Sequence, residues 1–136
     1  MKRWLVGYVA IAAVFLALDA TWLTFTSATV YRPALGPILA SSPRLVPAAL
    51  FYLIYFAGLM SFAVRPALEF HSWRHAGARG AAFGICAYAT YDLTNQATLA
   101  VWSTRVTALD LAWGAAVSAA GAAAGFLAAS RIKPAR

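Results

Sequence analysis

The sequence predicts an all-α, four-transmembrane-helix bundle with both termini cytoplasmic, and three observations carry that prediction. The chain is 62% hydrophobic and only 11% charged, with a mean hydropathy of +0.70. That is too apolar for a water-soluble domain of its size. Four apolar runs approach the about 20 residues a helix needs to cross a hydrocarbon core. Basic residues collect at alternate ends of those runs, as orientation signals do.

The spans are placed at Trp4–Ser27, Val46–Val64, Ala78–Val101 and Thr107–Ala129. Backbone in lipid must satisfy its own hydrogen bonds, and no run alternates like a barrel strand, so each is a helix. The first span follows Lys2-Arg3 and resembles a signal peptide. Its length, the internal Asp19 and the lack of a small-x-small cleavage site make it an uncleaved anchor. The loop from Ala28 to Leu45 carries Pro33, Gly36, Pro37 and Pro43, which predict a broken interfacial or re-entrant segment. The loop from Arg65 to Gly77 is cationic and aromatic and suits a headgroup layer. Gly114, Ser118, Gly121 and Gly125 on the fourth span, and Gly77, Gly80 and Gly84 on the third, predict close helix approach. With no soluble segment or long linker, residues 1–136 form one membrane domain.

Lys2, Arg3, Arg65, Arg74, Arg79, Arg131, Lys133 and Arg136 flank one side, while Arg32, Arg44 and Arg105 flank the other. This bias places the first side of the multi-pass protein in the cytoplasm. The net charge of +7 and pI near 10.2 form no stripe on a polar face, so lipid headgroups are the expected partners and nucleic acid is not.

Three of the four acidic residues, Asp19, Asp92 and Asp110, lie inside the spans. Acids at membrane depth are costly and mark function or interhelical contacts. Each is followed three residues later by Trp22, Asn95 or Trp113. With the termini inside, Asp19 and Asp92 lie roughly 10–15 Å below the outer boundary and Asp110 roughly 5 Å below it, at 1.5 Å per residue. Tyr52 and Tyr55 fall in the same slab, and residues three and four apart share a helix face. The expected site is therefore an outer-half pocket built from Asp19, Trp22, Tyr52, Tyr55, Tyr91, Asp92, Asn95, Asp110 and Trp113. The bland alternative is that these acids are glue bonded to Trp, Tyr and Asn. Asp110, in the first turn of its helix, is the most structural of the three. Arg32 and Arg105 are read as headgroup anchors, with pairing to Asp19 or Asp110 as the alternative.

His71 and His75 lack the further ligands a metal needs, so no metal is expected. Cys86 reads as a small buried apolar residue. No nucleophile–base pair, phosphate loop or dinucleotide fingerprint is present, and no cofactor is expected.

Several strings resemble a family of bacterial integral membrane proteins catalogued as domain of unknown function 2177. They are Leu18-Asp19-Ala20-Thr21-Trp22-Leu23, Tyr31-Arg32-Pro33-Ala34-Leu35-Gly36, Phe51-Tyr52-Leu53-Ile54-Tyr55 through Gly58, Arg65-Pro66-Ala67-Leu68, Ala89-Thr90-Tyr91-Asp92-Leu93-Thr94-Asn95 and Asp110-Leu111-Ala112-Trp113-Gly114. The resemblance implies an inner-membrane protein and supplies no activity, substrate or cofactor.

The leading functional expectation is binding of a small amphipathic or lipid ligand in the outer-half pocket. The alternative is a dimeric proton-coupled transporter of small molecules. A lipid-modifying enzyme with Asp92 as acid or base ranks third, so the balance is against an enzyme. An accessory subunit of a larger complex is the structural alternative.

Overall fold

The computed structural model describes residues 1–133; Arg136, counted above among the inner cations, lies outside the described residues. Helix α1 (Lys2–Thr26) passes through a π-helical turn, Ser27–Tyr31, into the short α2 (Arg32–Leu35) and a 3-10 turn, Gly36–Ile38. Helix α3 (Leu45–Leu59) likewise passes through a π-helical turn, Met60–Val64, into α4 (Arg65–Glu69). Helices α5 (Trp73–Thr98) and α6 (Thr104–Ser130) complete four rods, with no strand among the described residues.

Two expectations about boundaries change. Pro33 and Pro37 do not break the first rod, which stays helical to Ile38, while Pro43 lies in the loop that follows. The predicted loop Arg65–Gly77 shrinks to Phe70–Ser72, because α4 and the start of α5 occupy its flanks. His71 sits in that turn with a φ of 51° and precedes α5, so it shares no helical face with His75.

Both π turns have one cause. Tyr31-Arg32-Pro33-Ala34-Leu35 and Val64-Arg65-Pro66-Ala67-Leu68 repeat the same Arg-Pro-Ala-Leu string. A proline inside an α-helix lacks its N–H and drives its ring into the carbonyl four residues back. The chain widens instead: the Arg32 N–H donates to the Ser27 carbonyl and the Arg65 N–H to that of Met60, each five residues earlier. One extra residue per turn lets the helix pass the proline.

Helix α6 is the centre of the bundle. Val106, Asp110, Gly114, Val117, Ser118, Gly121 and Gly125 are buried along it at steps of three, four or one. It packs along α5 on one side and α1 on the other. The α5 seam needs small residues: a Cβ on Gly80 would lie 2.6 Å from the Ser118 carbonyl oxygen, and one on Gly84 would collide with the Gly114 carbonyl. The second rod closes the bundle through its Met60–Val64 turn. That turn packs on α5, while α3 itself barely touches α5.

Outward-facing Leu5, Val9, Leu16, Leu50, Ile54, Phe62, Ile85 and Leu127 are exposed. An exterior as apolar as the core is what lipid requires. The rods Lys2–Ile38, Leu45–Glu69 and Thr104–Ser130 are long and apolar enough to cross a membrane. Helix α5, at 26 residues, has the length, about 39 Å at 1.5 Å per residue. Arg74, Arg79, Asp92, Asn95 and Gln96 lower its own hydropathy.

The chain ends meet at one end of the bundle. The Arg3 Nε–H donates to the Ala129 carbonyl at 3.2 Å, and the Arg65 guanidinium lies 5.5 Å from the Trp4 ring centre. The three span acids lie toward the opposite end.

Candidate functional site

Buried near the centre of α1, Phe15 contacts the rings of Tyr52, Tyr55 and Phe56 at 5.2–6.2 Å between centres. This aromatic layer is the floor on which the acidic region stands. One turn above Phe15, Asp19 accepts hydrogen bonds from the Tyr52 hydroxyl at 2.6 Å and the Trp113 indole N–H at 3.1 Å. Its carboxyl joins α1, α3 and α6.

The Trp113 ring stacks on Trp22, with centres 4.5 Å apart and planes 7° from parallel. The Trp22 N–H donates to the Tyr31 hydroxyl at 2.9 Å, and that hydroxyl donates to the Asp110 carboxylate. The π turn delivers Tyr31 to this position, at the end of a segment in which Thr26 and Thr29 hydroxyls bond carbonyls one turn back. Asp19 and Asp110 are therefore linked by an unbroken chain of Trp113, Trp22 and Tyr31.

Asp92 differs from both. It is fully buried, and no donor reaches either carboxylate oxygen. Its acidic neighbour is Asp110 on α6. Both acids border a cavity of about 370 Å³ whose other walls are Phe51, Tyr55, Ala87, Tyr88 and Tyr91. This cavity occupies the space where α3 and α5 diverge at the acidic end of the bundle. No Lys, Arg or His borders it. Gly114 lets the Tyr88 ring lie across α6, since a Cβ there would collide with that ring. Tyr55 is fixed by a 2.7 Å hydrogen bond between its hydroxyl and Ser118.

Of the nine residues singled out in the sequence, Tyr55, Tyr91, Asp92 and Asp110 line this cavity. Asp19, Trp22, Tyr52 and Trp113 form the adjoining hydrogen-bonded layer. Asn95 enters neither. It is half-buried one turn above Asp92, and its neighbour Gln96 makes the polar contacts there, with Thr104 and Thr107. Tyr31, Ser118, Phe51 and Tyr88 belong to the site and lie outside the predicted set. Tyr31 falls in the segment expected to be a broken loop; the Arg-Pro-Ala-Leu repeat is the signal that a helix continues through it.

Two subsidiary readings and one alternative are corrected. Cys86 is exposed on the outer surface of α5 instead of buried, one helical step from Ala87 in the cavity wall. Asp110 is not in the first turn of its helix, which begins at Thr104; it accepts from Tyr31 and borders the same cavity as Asp92. Arg32 and Arg105 are exposed, and the groups that hold Asp19 and Asp110 are tyrosine and tryptophan. No cluster of three metal-ligating side chains occurs among the described residues.

These features define a helical membrane protein with a buried acidic site. Residues 4–127 match the family described as "Predicted membrane protein (DUF2177)", and the chain belongs to that family. No curated protein and no solved structure matches the chain.

Proposed function

We propose that all four rods cross a bacterial inner membrane with both termini cytoplasmic, and that the protein binds an amphipathic or lipid ligand in its outer half. Among the described residues, Lys2, Arg3, Arg65 and Arg131 at the end away from the acids support the orientation. Burial of Asp92 and Gly84 against α6 supports a crossing by α5 despite its polar residues.

One observation carries the binding reading: Asp92 borders an aromatic cavity with neither oxygen supplied by a donor. Had the acid served only to join helices, it would be bonded as Asp19 is. Buried polar groups are normally satisfied, and one that is not calls for an explanation. The gap between α3 and α5 gives a lipid-soluble guest a sideways path to it. The test is mass spectrometry of lipid and small molecules that co-purify with the protein. Wild type retains a ligand that Asp92→Ala loses; identical retention by both contradicts the reading.

A second reading, a proton-coupled transporter acting as a homodimer, draws on two acids, Asp92 and Asp110, bordering one cavity inside the spans, where carboxyls serve as proton relays. Proteoliposomes that show substrate-dependent proton movement across a panel of cations would favour it; none would remove it.

A further inference from the structure

We infer that the group this cavity takes is an ammonium, the cationic head of an amine or quaternary ammonium compound, seated among the rings of Phe51, Tyr55, Tyr88 and Tyr91 in the field of the Asp92 and Asp110 carboxyls behind them. The inference rests on the binding reading above and narrows it to one chemical class.

Charge sets the sign of the guest. The walls hold two carboxyls and no Lys, Arg or His, although the chain as a whole carries a net charge of +7. An anionic head would meet two acids with no counter-charge. A neutral head could donate a hydrogen bond but would leave the buried carboxylate charge without a counter-charge. A cation supplies the charge that a buried acid lacks.

The rings set the kind of cation. A bare metal ion needs several oxygen, nitrogen or sulfur ligands, and no group of three His, Cys, Asp or Glu is present among the described residues. Four aromatic rings are the larger part of the wall. Tyr55 and Tyr88 stand at 86° to each other with centres 6.4 Å apart, and Phe51 lies 5.2 Å from Tyr55. Rings meeting at an angle around an acid attract a weakly hydrated organic cation through their negative faces, as aromatic cages do.

Volume sets its size. The cavity, at about 370 Å³, lies near the lower bound of about 300 Å³ for small-molecule sites. It holds a small lipophilic amine or a single lipid headgroup, with any chains left outside between α3 and α5.

The test uses the full chain in nanodiscs, with equilibrium dialysis against benzyltrimethylammonium and its neutral carbon isostere, neopentylbenzene, and empty discs subtracted. The ammonium binds saturably and the isostere on the order of tenfold more weakly; Asp92→Asn weakens the ammonium on the order of tenfold and leaves the isostere unchanged. Tyr88→Leu weakens the ammonium while Tyr88→Phe, which keeps the ring face, does not. Should Asp92→Asn fail to fold, the isostere comparison on wild type and the Tyr88 pair still decide. Discs of phosphatidylethanolamine and of phosphatidylglycerol separate the sources. Weaker probe binding in the former identifies the lipid headgroup as a competitor, equal binding identifies a free cation, and both uphold the ammonium. Equal binding of probe and isostere, insensitive to Asp92→Asn, overturns the ammonium and leaves the pocket as a binding site. Failure of both probes to bind, with no co-purified lipid, overturns the binding reading as well.

Discussion

The indole of Trp22 lies flat against that of Trp113, 4.5 Å between centres, and each ring passes its N–H to a different partner in the acidic layer. Trp113 donates to Asp19, and Trp22 donates to Tyr31, which donates to Asp110. One stacked pair thus sets the positions of two carboxyls on two helices. Trp22→Leu and Trp113→Leu should each destabilise the bundle, with a coupling of about 0.5–1.5 kcal/mol in a double-mutant cycle, the range for aromatic pairs. Reversible unfolding in mixed micelles measures it. Simple additivity would mean the rings are neighbours without consequence.

Asp19 and Asp92 should respond oppositely to the same substitution. Asp19 accepts from Tyr52 and Trp113, and Asp19→Asn replaces one of those acceptor oxygens with a donor group. Its cost should be about 0.6–1.7 kcal/mol, the span of measured polar contacts between membrane helices. Asp92 has no donor to lose. Asp92→Asn should leave stability unchanged or raise it while weakening ammonium binding, a trade common at functional sites. Melting curves of the two variants, measured side by side, decide this. Destabilisation of Asp92→Asn by more than Asp19→Asn would make Asp92 structural.

The α5–α6 seam should tolerate no added methyl. At Gly84 a Cβ meets the Gly114 carbonyl, which is backbone and cannot rotate away. Gly84→Ala should cost about 1–3 kcal/mol, as overpacking does. Gly36→Ala, where a Cβ meets nothing within 4 Å, should be close to neutral in the same unfolding assay.

The acids announce themselves in the sequence because nothing else explains a carboxylate in a span, and residue spacing places Asp19, Asp92 and Asp110 at one end together. Hydrophobicity cannot show which face of α5 meets α6, since lipid-facing Ile85 and Leu93 are as apolar as core residues. For that reason Cys86 reads as buried, and Asn95 stands out where Gln96 makes the contacts. Tyr31 is hidden by a sound rule applied too strictly. Proline does stop an α-helix, but here the chain absorbs each proline with a π turn and carries the helix past it.

The part the π turn plays in aiming Tyr31 can be measured by deletion. Tyr31→Phe should cost about 1–3 kcal/mol, because the buried Trp22 N–H and the Asp110 carboxylate each lose a partner. Deleting Ala28 removes the extra residue of the turn and forces the Pro33 ring against the carbonyl one α turn back, which displaces the segment that holds Tyr31. If the turn exists to aim Tyr31, the deletion and Tyr31→Phe combined should cost little more than either alone. Full additivity in the unfolding free energies would separate the turn from the hydrogen bond.

Whether a cation-selective cavity opens between α3 and α5 is tested most directly at Ala87, in the cavity wall beside the outward-facing Cys86. In a Cys86→Ala background, Ala87→Cys is labelled in vesicles with a cationic or an anionic thiosulfonate of similar size. The cationic reagent should react faster, on the order of tenfold, the effect of an adjacent uncompensated acid in a low-dielectric site, and Asp92→Asn should erase the difference. An Ala87→Cys variant that takes up neither reagent, or equal rates that ignore Asp92→Asn, would contradict it.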